Sequence, residues 1–141
     1  MTLGLDTRLT LFAAGLIFLL ALILGAWKYH GMRTSPDHLA HPYVDIAHRS
    51  ALMYSFATLL VSAFVELSHW PTAVNATCAG ILVFFFVAAI GSYIVHGARR
   101  DTTNQFERPD AALRVSMIAL VVGEIGAFAV LLAGFAAGQL L

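Results

Sequence analysis

Histidine, aspartate and tyrosine, residue types that bind metals or move protons, are concentrated in a few short stretches of this chain. His41, Asp45 and His48 occupy positions i, i+4 and i+7, the spacing that places side chains on one helix face. They share that face if the helix begins early, with Pro42 in its first turn, where proline is tolerated. A neutral imidazole there could bind a transition metal or haem iron. The alternative is a polar helix start, where these side chains meet water and lipid headgroups.

A second group of candidates follows about 45 residues later. Tyr93 and His96 are three residues apart, so a helix would present them on one face. The Tyr93 hydroxyl could donate a hydrogen bond to a substrate oxygen. The alternative for both residues is a position in the interfacial belt of a membrane protein, where tyrosine is enriched. A polar segment comes next and includes Asn104-Gln105-Phe106.

Glu124 is the acidic residue that lies deep inside an apolar run. It follows the start of that run, near Leu113, by eleven residues, which corresponds to about 16 Å at about 1.5 Å per residue. Carboxylates at such depth are costly and usually face the bundle interior with a partner, and Gly123 and Gly126 permit close helix approach. We therefore consider two roles for Glu124. One is a proton relay or substrate contact, and the other is a protonated side chain bonded to a neighbouring Ser, Thr or carbonyl.

The composition predicts the elements that position these residues. Of 141 residues, 60% are hydrophobic and 11% are charged, against about 25% charged in soluble domains. This balance excludes a typical soluble enzyme, and the net charge of zero gives no basic surface for nucleic acid. Four stretches approach the length of about 20 apolar residues that a bilayer requires. We predict an all-α, single-domain bundle of four transmembrane helices, spanning residues 9–27, 50–67, 73–95 and 113–138.

The basic residues predict the orientation of this bundle. Seven of the eight lie in the first and third connections, which share a side when there are four spans: Lys28, Arg33, Arg49, Arg99, Arg100, Arg108 and Arg114. Basic residues in short loops mark the cytoplasmic side. We therefore expect both termini outside, in what is most simply a bacterial inner membrane, with the first span retained and not cleaved as a signal peptide.

Three short motifs resemble the small four-helix membrane isomerases typified by styrene oxide isomerase, with hydroxylaminobenzene mutase as a looser relative. Ala47-His48 opens the second span, Gly91-Ser92-Tyr93-Ile94 closes the third, and Asn104-Gln105-Phe106 follows in the next loop. The 45-residue separation of His48 and Tyr93 is similar to that of the family. The resemblance covers residues 45–106.

This resemblance implies that His48 is the axial ligand of haem b and that Tyr93 and Asn104 serve the active site. It implies a homotrimer with haem near the subunit contacts, and ferric iron that acts as a Lewis acid on a small apolar substrate. The reaction would convert an epoxide to a carbonyl compound or rearrange an N–O bond. Tyr54 stands where the family isomerase has an asparagine, so the substrate pocket differs there, and Tyr54 could help Tyr93 to orient the oxygen.

Two other classes of protein fit the same residues. In a membrane protein that binds a metal without haem, His41, Asp45 and His48 would be ligands together with His38 or His96. In a non-enzymatic small subunit of a larger membrane complex, the histidines would be interfacial and Glu124 would pair with a partner helix. A proton-coupled transporter built on Glu124 would need several copies to form a pathway.

Overall fold

The computed structural model describes residues 2–141, and within that range the secondary structure is helical, without strands. The helices are α1 (Leu5–Thr34), α2 (Pro42–Leu67), α3 (Thr72–Arg99) and α4 (Ala111–Gln139). All four are long and apolar enough to cross a membrane. The prediction of an all-α protein with four transmembrane helices is confirmed, and each helix extends beyond its predicted apolar span.

Polar residues determine where the helices begin. α2 starts at Pro42, and the His41 ring before it accepts a hydrogen bond from the Tyr43 amide (3.2 Å). The Asp110 carboxylate likewise accepts a bond from the Leu113 amide (2.7 Å) at the start of α4. These side chains satisfy amide groups that have no partner inside the helix. The early start of α2 brings Asp45 and His48 into one helical register, whereas His41 is the N-cap and lies outside the helix.

Small residues let α1 and α2 pack closely. Ala21 of α1 and Ala47 and Ala51 of α2 are completely buried, and small side chains are what allow helix backbones to approach in a membrane. At one end of this pair, Lys28 contacts Asp45 at 2.7 Å. At the other end, the Thr7 hydroxyl donates to the Glu66 carboxylate at 2.6 Å. Polar contacts therefore fix the pair at both ends.

Helix α4 is packed against the bundle along half of its length. Its buried residues are Ala127, Leu131 and Gly134, all in the C-terminal half. Trp70, in the α2–α3 turn, donates a hydrogen bond from its indole nitrogen to the Val130 carbonyl (2.8 Å). This bond holds the C-terminal half of α4 against the turn. The N-terminal half of α4 has no buried residue. Helix α4 therefore packs closely on the bundle near the α2–α3 turn, whereas it has no buried residue toward the end that carries most of the basic residues.

Candidate functional site

His48 projects from α2 toward α1. Its Nδ1 lies 2.9 Å from the Ala21 carbonyl oxygen, and since a carbonyl can only accept, Nδ1 donates and Nε2 keeps its lone pair. Gly25 makes room for the ring, because a Cβ at that position would lie 2.9 Å from His48 Cε1. An imidazole held through one nitrogen by a carbonyl, with the other nitrogen free, is the arrangement of a metal-ligating histidine.

An apolar groove begins two helical turns beyond His48. Ser55 is seven residues after His48 and therefore lies on nearly the same face of α2. Ser55 lines a groove of about 250 Å³ between α2 and α1, together with Ala14, Gly15 and Phe18. The free nitrogen of His48 is thus followed, along the same helix face, by an apolar surface open to the lipid.

The other members of the predicted histidine face have partners of their own. His41 Nδ1 is used in capping α2. Both Asp45 oxygens are in ion pairs, one with Lys28 at 2.7 Å and one with Arg49 at 2.6 Å. In residues 2–141 no group of three His, Cys, Asp or Glu side chains is arranged to hold a metal ion. The hypothesis of a metal site without haem, built on His41, Asp45 and His48, therefore gains no support from the arrangement of these residues.

Tyr93 and His96 do share a face of α3, and Tyr43 brings them together. The ring of Tyr43 stacks on that of Tyr93 (5.9 Å between centroids) and lies 5.2 Å from that of His96. Tyr43 is buried, and its hydroxyl accepts a hydrogen bond from the Gln105 amide at 2.7 Å. Tyr43 was not among the site residues predicted from the sequence, where the one signal for it is its place directly after Pro42 at a helix start.

The loop that follows α3 closes over this aromatic group and borders a polar cavity. The cavity has a volume of about 480 Å³ and is lined in part by Ser92, His96, Asp101 and Asn104. Asp101 accepts a hydrogen bond from His96 Nδ1 at 2.8 Å, and this contact holds the pKa of the Asp101 carboxyl below its ordinary value. The side-chain oxygen of Asn104, Oδ1, accepts a hydrogen bond from the Phe106 amide (3.0 Å). The side-chain NH₂ group of Asn104 is thereby left free to face a ligand.

Tyr54 and Glu124 both lie in the middle of the bundle. The Tyr54 ring stacks on Phe86 of α3 at 4.4 Å. Tyr54 packs on the core cluster that includes Ala127, one helical turn after Glu124. The Oε1 atom of Glu124 is buried and has no hydrogen-bond partner within residues 2–141. The sequence identified Glu124 as unusual, and the structure places Tyr54 on the adjoining part of the core.

Two predicted site residues of α2, His48 and Tyr54, lie on different faces of that helix. His48 and Tyr54 are six residues apart, which places them about 120° apart around a helix at about 100° per residue. His48 bonds to α1, whereas Tyr54 packs on α3. Among residues 2–141 neither a hydrogen bond nor a ring contact joins His48 to Tyr54 or Tyr93. Within the described residues of one chain, the imidazole is therefore not in direct contact with the phenols.

Comparison of the chain with protein-family models, curated proteins and solved structures gave no match.

Proposed function

We propose that this protein is a haem b-binding membrane isomerase or mutase that acts on a small apolar substrate containing oxygen. The observation that carries the proposal is His48, whose ring is oriented by the Ala21 carbonyl and presents an unpartnered Nε2. Ferric haem, when bound, would supply a Lewis acid that withdraws electron density from the substrate oxygen. The resemblance of the motifs at 47–48, 91–94 and 104–106 to the membrane isomerases supports the same assignment.

The surroundings of His48 fit a flat apolar group. Gly25 offers no side chain against the imidazole, and the groove that includes Phe18 and Ser55 continues along the same face. Apolar walls with few polar groups are typical of cofactor sites. His48 would hold the iron through Nε2, while Nδ1 keeps its bond to the Ala21 carbonyl, which fixes the orientation of the ring.

The phenols would act on the substrate oxygen. Tyr93, and Tyr54 beside it, would orient this oxygen by hydrogen bonding and stabilise the negative charge that develops on it. Because neither a hydrogen bond nor a ring contact joins His48 to these phenols within residues 2–141, a second copy would supply the tyrosines, in agreement with the homotrimer that the resemblance implies. The free amide of Asn104 would serve at the polar mouth of the site. The surrounding lipid would exclude water, which would otherwise trap a cationic intermediate.

The absorption spectrum of the purified protein tests this proposal. We expect a Soret band, either as isolated or after haemin is added to protein in lipid nanodiscs. His48→Ala should lose the band, while His30→Ala is the matched control, since His30 is an exposed histidine near the same end of the bundle. If the unsubstituted protein has no band and takes up no haemin, the proposal is wrong. A band retained in His48→Ala would contradict the ligand assignment alone.

A further inference from the structure

Asp6 is a buried carboxylate in the first turn of α1, and within residues 2–141 it has no cationic partner. The residue is 7% exposed. One of its carboxylate oxygens, Oδ1, accepts a hydrogen bond from the Thr7 amide (3.0 Å), and no other hydrogen bond to the carboxylate is formed in the described chain. A carboxylate that is removed from water is costly unless it is paired. Asp6 can therefore accept further hydrogen bonds from a cationic group outside the chain.

The basic side chains of the chain do not supply the missing charge. The ion pairs formed within residues 2–141 involve Asp45 and Asp101 and leave Asp6 out. Arg8 is two residues from Asp6, which places it about 200° around the helix at about 100° per residue. The N-terminus of α1 offsets about half a charge, so part of the charge of Asp6 remains unmatched.

Thr10 adds a second acceptor beside Asp6. The two residues are four positions apart, so they lie one above the other on the same face of α1, and Thr10 is 5% exposed. The Thr10 hydroxyl donates its proton to the Asp6 carbonyl oxygen (2.8 Å), so a further partner of this hydroxyl has to be a donor. A primary ammonium group has three N–H donors and a positive charge, and it therefore satisfies both residues.

Asp6 and Thr10 line the polar end of an apolar groove between α1 and α3. The groove has a volume of about 220 Å³, and its lining includes Ala13, Ala79 and Gly80. A Cβ at Gly80 would meet no atom within 4 Å, so the groove is open there. The volume lies below the range of about 300–1,000 Å³ that is typical of pockets for compact ligands, which favours a narrow alkyl chain as the occupant.

The groove continues along α3 toward the middle of the membrane. Gly80 and Val83 also border a second apolar trough, of about 420 Å³, which extends to Ala88. Twelve residues separate Ala76, which lines the groove together with Asp6, from Ala88, or about 18 Å at about 1.5 Å per residue. One leaflet accounts for about 15 Å of the hydrocarbon core. The continuous groove therefore has the length of an acyl chain in one leaflet.

We infer that the α1–α3 groove binds a phospholipid whose headgroup ends in a primary ammonium, from the leaflet around the N-terminal end of α1. The ammonium pairs with the Asp6 carboxylate and donates to the Thr10 hydroxyl oxygen. The phosphate stays at the water interface, and one acyl chain lies along Ala79 and Gly80. This site needs neither His48 nor haem and goes beyond the proposed isomerase.

Phosphatidylethanolamine and phosphatidylcholine with identical acyl chains are the probes for the test. The headgroup of phosphatidylcholine has the same charge but no N–H donor. The full chain in mild detergent is titrated with an equimolar mixture of the two lipids, and native mass spectrometry identifies the lipid that binds first. We expect phosphatidylethanolamine in at least about fivefold excess, which is the preference that one additional hydrogen bond supplies.

Two variants locate this preference in the groove. Asp6→Asn should reduce the excess to below about twofold, because the charge opposite the ammonium is removed. Asp37→Asn is its matched control, since Asp37 is an exposed carboxylate at the opposite end of the bundle. Gly80→Leu should fill the groove and reduce lipid binding, whereas Gly126→Leu, at an exposed glycine of α4 with equally open space, should bind as the unsubstituted chain does.

Equal binding of the two lipids by the unsubstituted chain would overturn this assignment, and that comparison is decisive even if Asp6→Asn does not fold. Unchanged preference in Asp6→Asn, or unchanged lipid binding in Gly80→Leu, would also overturn it. If Gly80→Leu alters the oligomeric mass and leaves lipid binding unchanged, the groove holds a second copy of the chain and no lipid. His48→Ala should keep the preference for phosphatidylethanolamine, so failure of the haem proposal and failure of this site are separate outcomes.

Discussion

At the scale of single residues, the orientation of His48 depends on a glycine in another helix. The Ala21 carbonyl already belongs to the α1 helix, and its second lone pair receives the proton of His48 Nδ1. This bond is possible because Gly25, one turn later, has no Cβ to displace the ring. The chemistry available to the imidazole is therefore set by two residues of α1 that carry no reactive group themselves.

Gly25→Ala should displace the imidazole and break its bond to Ala21. The new Cβ would be 2.9 Å from His48 Cε1, and loss of the hydrogen bond should lower the free energy of unfolding by about 1 kcal/mol. Gly15→Ala is the matched control, because a Cβ there meets nothing within 4 Å. Unfolding by SDS titration measures the difference, and histidine ¹⁵N shifts report the tautomer. Equal stability and an unchanged His48 tautomer in both variants would contradict the prediction.

The ion pair of Asp101 and His96 should give the α3–α4 loop a dependence on acid. The pKa of Asp101 in the folded chain lies below its unfolded value because His96 donates to it. Its contribution to stability is therefore present above the unfolded pKa of about 3.9 and is lost as pH falls through the lower folded value. We expect Asp101→Asn to lower the Tm at pH 5 and the difference to shrink steadily as the pH falls below about 3.9. A Tm difference that is the same at every pH would argue against this linkage.

At the scale of helices, the C-terminal half of α4 is packed against the bundle and its N-terminal half has no buried residue. His69 donates its amide proton to the Gly134 carbonyl at 3.0 Å, and the Trp70 indole covers the bare backbone of Gly134. No comparable contact involves residues 111–122, whose side chains are exposed or half-buried. The region around Glu124 therefore lies at the boundary between the fixed and the free half of α4.

Gly134→Ala should loosen the fixed half of α4. A Cβ at this position would overlap the side chains of both Ser68 and Trp70, and such overpacking costs about 1–3 kcal/mol of unfolding free energy. Gly126→Ala, in the same helix but with open space around the new methyl group, should leave stability unchanged. Trp70 is a built-in probe, and in a Trp27→Phe background its fluorescence should report the change. Equal unfolding midpoints for the two variants would refute the overpacking argument.

At the scale of the whole molecule, the polar groups are divided unequally between the two ends of the bundle. The end that contains the first and third connections has seven of the eight basic residues, the ion pairs of Asp45 and the cavity beside Asn104. The opposite end has the Thr7–Glu66 contact and the Trp70 turn. The surface between them is apolar, as a bilayer requires.

The positive-inside rule predicts that the end with seven basic residues faces the cytoplasm and that both termini lie outside. Single cysteines test this orientation in a Cys78→Ser background, since Cys78 is the one cysteine of the chain. An impermeant maleimide should label His69→Cys in intact cells and should label Thr103→Cys after the membrane is permeabilised. The reverse pattern would place the termini in the cytoplasm.

The sequence determined the number and type of elements because hydrophobic length is a local property. Four apolar stretches predicted four helices, and each predicted span lies inside one of them. The i, i+3 relation of Tyr93 and His96 is equally local, and both rings contact Tyr43 as a shared face requires. The same applies to Glu124, since its depth follows from its position in the chain.

The tertiary structure decided which of the candidate residues meet, because that depends on how the helices rotate and pack. In the folded chain, Asp45 is engaged in ion pairs with Lys28 and Arg49. His48 bonds to α1, whereas Tyr54, only six residues later, packs on α3. The fold also packs Tyr54 on the core cluster that includes Ala127, which lies 73 positions later in the chain. Spacing along a chain determines the face of one helix, whereas contacts between helices depend on side-chain volumes along the whole interface.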